Sequence, residues 1–159
     1  MIKKILSTLF CATILMGADN YIMVQQPQEK IDAILKLESQ IKKIVPIKVG
    51  DGKTMNIVDF SYDKPNNSVV FSMEIDKEAL FKSMNTTEKG FEEYKKETLQ
   101  YIGNKQKEET CNNGQLALII LADFNIVYDY KFKDGQELYK LIVNKKTCGF
   151  GELLGIGTL

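Results

Sequence analysis

Phe124-Asn125-Ile126-Val127-Tyr128-Asp129-Tyr130-Lys131-Phe132-Lys133-Asp134-Gly135-Gln136-Glu137-Leu138-Tyr139-Lys140-Leu141-Ile142-Val143-Asn144 is the stretch that decides the fold. Phe124, Ile126, Tyr128, Tyr130 and Phe132 alternate with Asn125, Val127, Asp129 and Lys131. A period of two puts one apolar row on one side of a strand. Lys133-Asp134-Gly135-Gln136 interrupts the run, and Asp-Gly between alternating stretches predicts a hairpin, because these residues accept the positive φ that a tight turn requires. The returning strand covers 137–144, with Tyr139, Leu141 and Val143 on one face.

An earlier pair of runs reads the same way. Val58, Phe60 and Tyr62 alternate with Ile57, Asp59 and Ser61; Val69, Phe71, Met73 and Ile75 alternate with Val70, Ser72 and Glu74. Asp63-Lys64-Pro65-Asn66-Asn67 between them is a turn cluster, so a second hairpin is expected. Each hairpin has one apolar face, which a layer of helices must cover.

The helices lie outside the hairpins. Over 28–45, Ile31, Ile34, Leu35, Leu37, Ile41 and Ile44 recur at helical spacing until Pro46 stops them, and Gly50-Asp51-Gly52 is a turn. Asp76 caps a short helix over 77–84, and Thr87 caps a longer one from 88 to about 109. The apolar stripe of the longer helix is Phe91, Tyr94, Thr98, Leu99, Tyr101 and Ile102, and Gly103 ends or weakens it. The apolar run 115–122 is read as a short helix, with the entry to a strand as the alternative. The expected class is α+β: an antiparallel sheet of two β-hairpins with helices packed on one face, in the order helix-β-β-helix-helix-β-β.

The N-terminus has a different character. Lys3 and Lys4 precede the apolar run 5–16, too short for a bilayer span of roughly 20 apolar residues, and Gly17 and Ala18 follow. This pattern is that of a secretory signal, with cleavage expected after Ala18. Cys11 stands after Phe10, where a lipobox needs a small residue, so Cys11 is expected to leave with the signal. The expected organisation is a signal peptide over 1–18, one α+β domain over 19–148, and a glycine-rich apolar tail over 149–159. The compartment is then the periplasm or the exterior.

Loss of the signal leaves Cys111 and Cys148, which an exported small domain pairs as a disulfide; two separate buried thiols are the alternative. It also turns an even balance of 21 basic and 21 acidic residues into a charge of about −2. All basic residues are lysines, and His and Arg are absent. Ser-His-Asp and Cys-His catalysis and imidazole metal sites therefore have no candidates, and no guanidinium fork exists for phosphate or guanine. A slightly acidic domain is a poor match to nucleic acid or an anionic membrane surface. Glu92 and Glu93 are adjacent and do not face each other on a helix. The tail glycines lack a following GK[ST]. No catalytic, cofactor-binding or metal-binding residue is nominated.

The elements around the cysteines are also familiar together. A Cys at a helix end, a short apolar helix, the strand with Tyr128-Asp129-Tyr130, the Asp134-Gly135 turn and a final Cys after the last strand resemble a group of small exported bacterial proteins of unknown function. More loosely, over about 30–148, the layout resembles the disulfide-bonded α+β pilotins of type II secretion. The resemblance implies fold and compartment and carries no site residue. Pilotins of this kind are commonly lipoproteins, and the poor lipobox departs from that pattern.

The expected function is that of an exported accessory protein that binds another envelope protein through a sheet edge, a helix face or the tail. The alternative is a secreted effector or an inhibitor of an envelope enzyme, working through a protruding loop at 63–68 or 112–114. An enzyme would need a pocket gathering two of Asp59, Glu74, Asp129 and Lys131. A ligand carrier would need the strand 124–132 to line a cavity.

Overall fold

The computed structural model describes residues 27–49 and 53–149. The expected signal peptide with Cys11, the lead-in to residue 26, the glycine turn 50–52 and the tail beyond Gly149 lie outside the described residues.

Helix α1 (Pro27–Ile41) starts on a proline, whose missing N–H costs nothing in the first turn. It ends four residues before the position that its apolar period predicts. The amides of Lys43 and Ile44 bond three residues back, to Gln40 and Ile41, which tightens the chain into a closing turn. Pro46 disfavours helical backbone at Val45. Strands β1 (Ile47–Val49), β2 (Met55–Asp63) and β3 (Ser68–Ile75) follow as an antiparallel meander. The three-residue β1 is an edge strand that the sequence pattern does not announce.

Within β2 the alternation breaks. The register with β3 shifts between Ile57 and Asp59, so Ile57 and Phe60 are both buried. An extra residue in one strand carries the next side chain to the other face, which moves Ile57 from the outward row expected for it into the core.

Helices α2 (Lys77–Ser83), α3 (Glu88–Asn112) and α4 (Gly114–Leu121) come next. Asp76, Thr87 and Asn113 cap them by accepting from the amides of Ala79, Gly90, and Gln115 and Leu116. Strands β4 (Asn125–Phe132) and β5 (Glu137–Val143) form the last hairpin, with Gly135 at φ 86° in its turn.

The α+β class and both hairpins are present, and the five strands lie in the order β1-β2-β3-β4-β5. The sheet is mostly antiparallel. The exception is the seam between the hairpins, where β3 and β4 run parallel from Ser68/Asn125 to Ile75/Phe132. A parallel neighbour requires a long crossover, and α3 supplies it. At 25 residues and about 1.5 Å per residue, α3 is long enough to carry the chain from the end of β3 back to its start. Phe91, early in the helix, meets Phe132 edge-on, whereas Thr110, late in it, bonds Tyr128.

Both ends of the seam are fastened. At its start Asn67 Nδ2 donates to the Asp123 carbonyl at 2.7 Å, and Asn125 Nδ2 donates to that of Asn66 at 3.1 Å. At its end Lys133 pairs with Asp76 at 2.9 Å and Lys77 with Asp134 at 2.7 Å. One apolar cluster runs through all of this: Ile34, Leu37 and Ile41 of α1, Leu80 of α2, Phe91 of α3, Leu116, Ile119 and Ile120 of α4, and the inward rows of the sheet. A single cluster of this composition puts the helices on one face of the sheet.

Candidate interaction surface

The inward tyrosines show how α3 is held. Gly103, Gln106 and Thr110 follow one another along its buried side and meet Tyr139, Tyr130 and Tyr128 in that order. A Cβ on Gly103 would lie 2.6 Å from Tyr139 Oη. Tyr130 Oη approaches Gln106 Oε1 at 3.4 Å. Thr110 Oγ1 donates to the Gln106 carbonyl at 2.6 Å and lies 2.9 Å from Tyr128 Oη. A hydroxyl has one proton, so Tyr128 donates to Thr110. Burial pushes the Tyr128 phenol up to about 12 and raises Tyr130 as well.

The rings pack on each other, Phe71 on Tyr128 at 5.3 Å and Tyr130 on Tyr139 at 6.2 Å between centroids. Phe124, Ile126, Tyr128, Tyr130 and Phe132 are all buried in the core cluster. The aromatic strand therefore builds the core in place of a ligand cavity.

Cys111, at the end of α3, is bonded to Cys148 just past β5, with Cα atoms 5.5 Å apart. The helix end and the strand end are neighbours. The two loops considered for inhibition are tied down: 63–68 by the fastening at the start of the seam, and 112–114 by its role as the cap of α4.

Asp59, Glu74, Asp129 and Lys131 share the sheet face opposite the helices. Asp59 is in register with Ser72, Ser72 with Asp129 and Glu74 with Lys131. Lys131 pairs with Asp129 at 3.1 Å. The same face carries an apolar row, Val70-Val127-Ile142, in register across three strands. Val127 is buried yet stands outside the core cluster, and Ile142 is 50% exposed. The outward half of the strand alternation contains this row, which the inward half overshadows when the sequence is read for a core.

Among the described residues, the most exposed large rings are on α3. Tyr94 is 61% and Tyr101 is 59% exposed, so the expectation that they join the helix's packing stripe is corrected. Tyr94 has non-helical φ and ψ of −109° and 15°, and this kink offsets the start of the helix from the rest. After the kink the core-facing positions are those of Gly103, Gln106 and Thr110, which leaves Tyr101 on the other side. Gly103 lies inside the helix and does not end it.

No protein-family model and no curated protein matches the chain. Solved structures do match its fold. A protein of Pseudomonas aeruginosa described as a putative secreted protein superposes with a TM-score of 0.59 at 8% identity, over 78% of this chain and 97% of that one. The pilotin of the type 2 secretion system of Vibrio vulnificus gives 0.53 at 12% identity, over 77% and 97%. The type II secretion pilotin of Vibrio cholerae gives 0.55 at 15% identity, over 84% and 99%. The chain shares a fold with these proteins, in agreement with the resemblance drawn from Cys111 to Cys148.

Proposed function

We propose that the protein is exported to the periplasm or the exterior and serves there as an accessory protein, acting by contact with another envelope protein and without catalysis of its own. The observation that carries this reading is the pair Tyr94 and Tyr101, two open rings on one long helix that the disulfide and the tyrosine contacts hold in place. Tyrosine is favoured at protein interfaces because it offers large contact area with little side-chain entropy to lose. The lysine-led apolar segment at 1–18 supports export, and the absence of His and Arg removes the commonest catalytic groups. The neighbours in fold, a secreted protein and two secretion pilotins, support the same compartment and mode of action.

The test is recovery of the tagged protein from envelope extract as wild type, as Y94S/Y101S, and without residues 150–159. The expected result is a partner retained by the wild type and lost with Y94S/Y101S. Identical recovery by all three forms, or none by any, would overturn the reading.

A further inference from the structure

We infer that the C-terminal half of α1, with the turn that follows it, is a docking face for an anionic lipid surface. Ile34, Leu37 and Ile41 turn inward, which leaves Leu35, Lys36, Ser39, Lys42, Lys43 and Ile44 exposed.

Charge and apolarity coincide there. Leu35 is 46% and Ile44 45% exposed. Lys36 and Lys43 have no ion pair among the described residues. Glu38, within the face, is committed: one oxygen takes Lys42 at 2.6 Å, the other accepts from the Tyr62 amide at 3.1 Å. Asp59 of β2 also acts on Lys42. The other acids of the helix, Glu29 and Asp32, lie in its first half. Lysines after a helix C-terminus complement its dipole, which accounts for Lys42 and Lys43. It does not account for two exposed aliphatic side chains among them. Free lysines around exposed Leu and Ile are what an anionic headgroup layer over hydrocarbon takes up. The slightly acidic charge left after loss of residues 1–18 opposes this association only as an average; the distribution along α1 favours it locally.

The test is co-sedimentation of the purified protein with phosphatidylglycerol vesicles and with phosphatidylcholine vesicles, at low and high salt. Residues 1–18 are common to all forms compared, so differences between them report on this face. The wild type should bind the anionic vesicles more tightly, and the preference should collapse at high salt. K36E/K43E should lose about fivefold in affinity for each lysine removed. L35S/I44S should also bind less, and K36R/K43R should keep the preference. Equal binding of the wild type to both vesicles would overturn the inference. So would undiminished binding by both K36E/K43E and L35S/I44S, each with wild-type circular dichroism.

Discussion

Thr110 Oγ1 and Tyr128 Oη lie 2.9 Å apart inside the core, where the end of α3 crosses β4. Both residues are almost fully buried, so each hydroxyl depends on the other in place of water. Thr110→Val should cost about 1–3 kcal/mol, since it strands the Tyr128 hydroxyl. Tyr128→Phe should cost less, because Thr110 keeps its bond to the Gln106 carbonyl. Urea unfolding of both single variants and the double variant should show a combined loss smaller than the sum. Strict additivity would mean that the pair is not coupled.

Gly103 is where α3 comes closest to the sheet. Alanine is better than glycine in a helix interior by about 1 kcal/mol, but here its Cβ would meet Tyr139 Oη at 2.6 Å and the ring at 3.1 Å. Gly103→Ala should therefore destabilise, by about 1–3 kcal/mol for an overpacked site. Tyr139→Phe in the same chain should recover part of the loss by removing the nearest atom. A stabilised Gly103→Ala would show that α3 does not pack this closely.

The buried tyrosines set an alkaline limit. Their folded pKa values lie above the ordinary 10, with Tyr128 at about 12. The neutral phenols thus favour the folded state, and this contribution is complete below pH 10 and lost as the pH rises from there through about 12. The melting temperature should fall over that interval. Tyrosinate absorbance should show Tyr128 and Tyr130 ionising above the ordinary phenol range. Ionisation of both at about pH 10 in the folded protein would contradict the burial.

The disulfide closes a loop with a sequence separation of 37. Loop-closure entropy sets its stabilisation at about 4 kcal/mol as an upper figure. Cys111→Ser/Cys148→Ser, or reduction, should lower the denaturation midpoint accordingly. An unchanged midpoint would show that the α3 and β5 ends are held by packing alone.

Much of this fold is legible in the sequence because it rests on short-range chemistry. Asp76 and Thr87 are caps in fact, and Asp134-Gly135 is a turn. What escapes is non-local. Strand direction at the β3/β4 seam follows from where the long α3 delivers the chain. The bulge near Val58 moves Ile57 inward without any mark in the apolar pattern. The packing side of α3 is hidden for a chemical reason: Gly103, Gln106 and Thr110 look polar or small, and become core residues only because tyrosines face them. A hydrophobic stripe drawn on that helix selects Tyr94 and Tyr101 instead. The surface that carries the proposed function is thus visible only once the sheet's tyrosines have claimed the other side.

Photo-crosslinking in the producing cells tests the proposed function most directly, with a photoreactive residue at position 101 and, as a control, at exposed Lys64. The account predicts a discrete crosslink to one envelope protein from position 101, absent from position 64, and recovery of the crosslinked species in the envelope or external fraction. Retention of the protein in the cytoplasm, or the same crosslinking pattern from both positions, would contradict it.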